Sequence, residues 1–209
     1  MPASMSWLES LKAVSSQAKY CIPPNFKKLA YGTAGFRDKG NVLDHVVFRM
    51  GVLAALRSFH VRKAVGIMIT ASHNPREDNG VKIVDPSGEM LEADWEYWAT
   101  GMANAEDVLD YANKLIDYFQ IDLTIPRTTF PLVVIGRDTR ETSLDLRNAA
   151  YAGIREAMQV PVIGNFHTIL GFLPFTLYFK TAELSPPLNC TMLCKNLTLI
   201  WLKIILKWT

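Results

Sequence analysis

The chain has 209 residues, 49% of them hydrophobic and 20% charged. This is the balance of a folded globular protein and excludes a disordered or low-complexity one, and the length accommodates one ordinary domain with an extension. The formal charge is +2, but four lysines against one acid, Glu183, lie beyond Val160. The basic excess therefore belongs to the end of the chain. No basic stripe interleaved with aromatics marks the body, so a nucleic-acid partner is not expected.

In chain order, residues 1–27 read as a helix fragment or loose lead-in ending in Pro23-Pro24. Met1 to Ala18 lacks a basic start followed by a long apolar run, so a secretory signal is not expected. Lys28 to Phe36 is predicted as a first strand, broken at Gly32 and Gly35 where the backbone approaches something closely. Leu43, Val46, Val47, Met50, Leu53, Ala54 and Leu56 recur at helical spacing, predicting a helix over 43–59. Ala64 to Ile69 is a buried strand, Val81 to Val84 a short one, and Asp85-Pro86-Ser87-Gly88 a turn.

Helices are predicted over 93–103 and 106–119. Trp95, Tyr97 and Trp98 are read as core or helix-face aromatics in preference to a sugar-stacking platform. Leu132 to Ile135 is a further buried strand, and Thr142 to Met158 a helix. Strands alternating with helices in this way predict an α/β fold, a three-layer α/β/α sandwich with a mixed, mostly parallel sheet.

Beyond about Asn165 the character changes. Phe166 to Phe179 and Leu197 to Trp208 are apolar runs, interrupted by Pro174 and by Lys203 and Lys207. Both fall short of the roughly 18–20 uninterrupted apolar residues of a membrane span, so none is expected. Three cysteines, Cys21, Cys190 and Cys194, are too few and too oddly numbered for a disulfide framework. They fit a reducing compartment, hence a cytoplasmic location, and Cys190 and Cys194 lack a second ligand pair for a metal.

One stretch carries chemistry. Ile69-Thr70-Ala71-Ser72-His73-Asn74-Pro75 follows directly on a buried strand, and Asp78-Asn79-Gly80-Val81-Lys82 comes next. The Asn-Pro turn stops both strand and helix, so a serine is presented on a rigid loop at the carboxyl end of a strand, where open α/β sheets place their chemistry. The Gly-x-Ser-x-Gly frame of a hydrolase elbow is absent. Ser72 alone would be read as a turn serine.

Three more blocks change that reading: Tyr31-Gly32-Thr33-Ala34-Gly35-Phe36-Arg37, Asp85-Pro86-Ser87-Gly88-Glu89-Met90-Leu91, and Val134-Ile135-Gly136-Arg137-Asp138-Thr139-Arg140. With the serine loop they resemble the α-D-phosphohexomutases, which move a phosphoryl group between two hydroxyls of one sugar. In most of that family the Gly-Arg-Asp block precedes the serine loop. Here it follows, and with Ala103-Asn104-Ala105 this order resembles the branch acting on N-acetylglucosamine phosphates. The resemblance covers residues 28–167, one domain of four, leaving residues 168–209 as a divergent hydrophobic tail.

The resemblance implies that Ser72 carries the phosphoryl group as phosphoserine, exchanging it with a hexosamine phosphate through a sugar bisphosphate activator. It implies Mg²⁺, touched by Ser72 through its phosphate. Lys82 is expected to stabilise charge or to act as acid/base, against a solvated strand lysine. Arg37 suits phosphate oxygens, against a structural salt bridge. His73 is expected to orient the loop or touch substrate, against a turn histidine satisfied by nearby backbone. Arg137, Asp138 and Arg140 are expected to form an ion-pair network bracing the loop.

The family's Asp-x-Asp-x-Asp-Arg metal loop, its sugar-reading Glu-x-Ser-Gly loop and its phosphate-gripping loop do not occur in the sequence. The chain is therefore expected to be weak or inactive alone. Two alternatives stand beside this reading: a phosphohexomutase of glucose or mannose phosphates, and a non-catalytic interaction or regulatory fragment. Nothing in the sequence settles an oligomeric state.

Overall fold

The computed structural model describes residues 6–124 and 131–167, with side chains through residue 162. The apolar tail, with Cys190 and Cys194, lies outside the described residues. Five strands among them form one sheet in the order β1-β3-β2-β4-β5. These are β1 (Phe36–Lys39), β2 (Val65–Ile69), β3 (Asp78–Val84), β4 (Val133–Arg137) and β5 (Val162–His167). The helices are α1 (Trp7–Ser15), α2 (Asp44–Val61), α3 (Ala93–Ala103), α4 (Val108–Phe119) and α5 (Ser143–Tyr151), the last continuing as a widened turn over Ala152–Ala157.

The mixed α/β architecture is as predicted, but its pairings divide evenly. β3 runs antiparallel to both β1 and β2, whereas β2, β4 and β5 are parallel. The first strand is also corrected. Residues 28–31 take no part in the sheet, and β1 begins at Phe36. Side chains take the place of a partner strand there: the Asn104 amide pairs with both N–H and C=O of Leu29, at 3.0 and 2.7 Å, and Thr100 Oγ1 accepts from the N–H of Tyr31. Strand β3 likewise starts earlier than predicted, because Asp78, Asn79 and Gly80 pair with β1 instead of turning.

Alternation along the strands gives the sheet two different faces. Val65, Ile67 and Ile69 share a face with Val133 and Ile135, with Val81 and Ile83, and with Phe36, and all belong to the main core. Helix α2 packs on this side and is buried from His45 to Phe59 because α5, α3 and α4 also pack on it. Burying side chains such as Val47, Leu53 and Leu56 stabilises by about 1.5–3 kcal/mol each. Helices α2 and α5 approach so closely that a Cβ at Gly51 would strike the backbone of Ala150. The opposite face carries Arg37, Lys82, Gly80 and Met68.

The lead-in is part of this core. Ser6 caps α1 reciprocally with Glu9, and Leu11 is fully buried against the widened turn after α5. Trp95 is buried and stacks on Phe119 at 4.4 Å, as the core reading required, while Tyr97 is exposed. No helix of the described residues is long and apolar enough to cross a membrane.

One buried ion pair ties helix to strand end. Arg57 of α2 grips Asp85, which follows β3, through Nε at 2.9 Å and Nη2 at 2.6 Å, with its guanidinium over the Trp95 ring. Glu92 adds a second carboxylate at 3.1 Å. This explains the Asp85-Pro-Ser-Gly motif as an anchored turn. Removing one member strands a charge in a site where both are under a tenth exposed. Arg57→Ala is expected to cost about 3–5 kcal/mol, measured by denaturant unfolding. A loss below about 1 kcal/mol, the scale of an exposed pair, would show that water already screens it.

Candidate functional site

The site grows from the carboxyl end of β2. There Thr70 remains tied to the sheet, its N–H donating to the Gly80 carbonyl at 3.1 Å. Ala71 to Asn74 then close a tight turn, with the Asn74 N–H on the Ala71 carbonyl at 3.0 Å. Ser72 sits on this turn, exposed, with a left-handed φ of 50°. A non-glycine residue pays roughly 1–2 kcal/mol for that conformation. Something must hold it.

Arg140 does so. Its Nη2 donates to the carbonyls of Ser72 and Asn74 at 2.8 and 3.0 Å, and its Nη1 to those of Pro75 and Asp78 at 2.6 and 3.1 Å. Four carbonyls of one loop thus converge on one guanidinium. Hydrogen bonds to a charged group stabilise by about 1.5–3 kcal/mol each, so the clamp outweighs the strain at Ser72. Asp138 fixes Arg140 in turn. Its carboxylate accepts from Arg140 Nε at 3.0 Å and from the Arg140 N–H at 3.1 Å. It also accepts from the hydroxyls of Thr70, at 2.8 Å, and Ser143. Thr70 completes the circuit by accepting the N–H of Ser72 at 3.0 Å.

The sequence pointed to Asp138 and Arg140 but not to Thr70, Ser143 or Asn79. Asn79 is buried in β3 and donates to Thr142 and Ser143 at 3.0 and 2.9 Å, linking the clamp to the start of α5. These residues are ordinary polar side chains in sequence. Only their convergence identifies them.

Arg37 and Lys82 share the sheet face opposite the helices. Arg37 is exposed and reaches the serine loop directly, its Nη1 donating to Asn74 Oδ1 at 3.2 Å. Asn74 also donates to Asp78, whose carboxyl Lys39, at 2.7 Å, holds below the usual range. Lys82 is half-buried. Burial, and after it the charge of Arg37, push its ammonium below the ordinary lysine range. Gly35, at φ 73°, and Gly80 let the first loop and β1 close on this face; a Cβ at Gly35 would meet Val81 and Lys82.

His73 is exposed on the same loop. Arg137 is set apart from the clamp. It pairs with Ile69 on the helix side of the sheet, donates to the Asp138 carbonyl at 3.2 Å, and is shifted down by burial and by Arg147 of α5. Among the described residues no three His, Cys, Asp or Glu converge as a metal site. The two carboxylates joined to the serine loop, Asp78 and Asp138, are already bound by Lys39 and by Arg140. The described residues therefore do not by themselves form an Mg²⁺ site.

Comparison with known proteins agrees with this geometry. Residues 41–108 match the family model for phosphoglucomutase/phosphomannomutase, α/β/α domain I. Phosphoacetylglucosamine mutase of Homo sapiens is 49% identical over 145 residues, covering 69% of this chain and 26% of the relative. An apo N-acetylglucosamine-phosphate mutase of the α-D-phosphohexomutase superfamily superposes with a TM-score of 0.67 at 42% identity, covering 78% of this chain and 34% of that one. Aspergillus fumigatus N-acetylphosphoglucosamine mutase, solved with GlcNAc-6P and magnesium, gives 0.66 at 43% identity, covering 74% and 28%. The chain spans about a quarter of the length of the curated relatives it matches. Over its α/β domain the chain is similar to the α-D-phosphohexomutases, and among them to the phosphoacetylglucosamine mutases.

Proposed function

We propose that this chain carries the phosphoserine domain of a phosphoacetylglucosamine mutase, interconverting N-acetylglucosamine 6-phosphate and N-acetylglucosamine 1-phosphate on the way to UDP-N-acetylglucosamine in the cytoplasm. The observation that carries the reading is the clamped loop, with Ser72 exposed at the carboxyl end of β2 and Arg37 and Lys82 on the adjoining sheet face. Phosphoryl transfer is mostly positioning and charge stabilisation, and the loop supplies the first.

In the forward half-reaction the bond between phosphorus and Ser72 Oγ breaks as one forms to the free sugar hydroxyl. The hydroxyl loses its proton, and Ser72 is left as an alcohol. The resulting bisphosphate turns round and returns its other phosphoryl group to Ser72, so the enzyme regains its starting state. A phosphoserine brings about −1.5 to −2 charges to the loop. Arg37, already joined to Asn74, meets this charge with a planar fork, and Lys82 meets the transferring group with a compact ammonium. Its lowered affinity for protons also suits Lys82 to proton transfer. His73 lies on the loop rim, where it touches the bound sugar phosphate. Arg140 and Asp138 act through the loop backbone, while Arg137 steadies Asp138. Because Asp78 and Asp138 are committed to Lys39 and Arg140, no step is assigned to Mg²⁺.

The test places residues 28–167 in the matching region of the human relative and exposes the protein to glucose 1,6-bisphosphate. Peptide mapping is expected to find label on Ser72 and to lose it in Ser72→Ala; undiminished labelling of that variant would remove the assignment. In the same background Arg37→Ala and Lys82→Ala are each expected to lower turnover by about 10²–10³. Turnover within a factor of two, with folding unchanged, would contradict their roles.

Thr70 gives a separate check. Thr70→Val takes the acceptor from the Ser72 N–H and a donor from Asp138, a loss of about 1–3 kcal/mol at the loop. Amide exchange at Ser72 is expected to quicken at least tenfold while exchange in β2 stays unchanged. Equal protection in both proteins would show that the Thr70 hydroxyl does not hold the turn.

A further inference from the structure

Strand β3 outruns its neighbour. Its pairing with β1 ends at Val81, opposite Phe36, yet β3 continues to Val84. Alternation directs the peptide groups of Asn79, Val81 and Ile83 toward β1 and those of Gly80 and Lys82 toward β2. Continuing the register would place Ala34 opposite Ile83, but the chain has already left the sheet. Gly32 and Gly35 pair across a tight turn, the Gly35 N–H donating to the Gly32 carbonyl at 2.7 Å, and the turn carries the backbone away. The N–H and C=O of Ile83 thus meet no strand.

Tyr31 fills the gap. Its phenol oxygen accepts from the Ile83 N–H at 2.9 Å and donates to the Ile83 carbonyl at 3.4 Å. One hydroxyl therefore serves both groups that a missing residue of β1 would have served. Tyr31 is itself fixed. Its own N–H donates to Thr100 Oγ1 at 3.0 Å, and its ring meets Phe36 edge-on at 5.2 Å. Burial, the largest effect, pushes its hydroxyl well above the ordinary phenol range, so the group keeps its proton and its donor.

The residue next to this anchor is Lys82. Tyr31, Thr33 and Lys82 line one shallow depression with Glu89 and Glu96, and the turn at Gly35 lies against the root of the Lys82 side chain. We propose that Tyr31 is a positioning residue for Lys82: its phenol ends the sheet edge at Ile83 and so fixes the backbone from which the Lys82 ammonium reaches the phosphoryl group. The assignment rests on the reading of Lys82 given above. It goes beyond it in naming the side chain that sets where Lys82 stands.

Tyr31→Phe removes one oxygen and keeps the ring. The test uses the full 209-residue chain with its lysines reductively methylated by ¹³C-formaldehyde and the Lys82 signal assigned through Lys82→Arg. In Tyr31→Phe the Ile83 amide is expected to exchange at least tenfold faster, and the Lys82 methyl signal to shift and broaden while the other lysine signals stay in place. Faster exchange at Ile83 with an unmoved Lys82 signal would reduce Tyr31 to an edge cap and overturn the proposal, as would unchanged exchange at Ile83. Turnover of Lys82→Ala, measured with residues 28–167 placed in the human relative, decides the other question. If that variant retains turnover while Tyr31→Phe still moves the Lys82 signal, the positioning link stands and the catalytic reading of Lys82 fails.

Discussion

The site depends on one guanidinium. Arg140 collects the carbonyls of Ser72, Asn74, Pro75 and Asp78 and leans on the Asp138 carboxylate. Without it, the left-handed turn at Ser72 loses most of the compensation for its strain, and the loop keeps only the Thr70 hydroxyl between the Ser72 N–H and Asp138. A carboxylate alone cannot gather carbonyls, and an ammonium lacks the fixed fork that reaches four of them in one plane. The arrangement also keeps Arg140 out of the chemistry, because its donors are occupied by backbone. Phosphate binding is left to Arg37 and Lys82.

The fold delivers these groups by parity. On β3, odd residues face the helices and even residues face the site, so Val81 and Ile83 build the core while Lys82 between them is presented to the ligand side. On β1 the same alternation buries Phe36 and exposes Arg37. Stability and function are therefore interleaved one residue apart. A single-residue slip of β3 would bury the lysine and expose Val81 and Ile83, and the register is pinned from both sides.

Much of this was legible in sequence. The strand into Ser72 declared itself by its apolar run, and the Asn-Pro turn marked its end. Helices over 93–103 and the segment after Glu106 followed from hydrophobic spacing. The misplaced first strand has a physical cause: residues 28–31 are held not by a strand but by Asn104 and Thr100, side chains some seventy positions away that no local pattern announces. The sequence Asp78-Asn79-Gly80 carries turn residues, yet pairing with β1 imposes extension. Thr70 and Asn79 escaped notice because each ties the site to partners beyond residue 137.

Single-turnover transfer tests the central claim most directly. Protein carrying the 28–167 region within the human relative is loaded with ³²P, freed of donor, and mixed with N-acetylglucosamine 6-phosphate. The account predicts that label leaves Ser72 and appears in a sugar bisphosphate at the rate of turnover. Label that stays on the serine while sugar phosphates interconvert would contradict it.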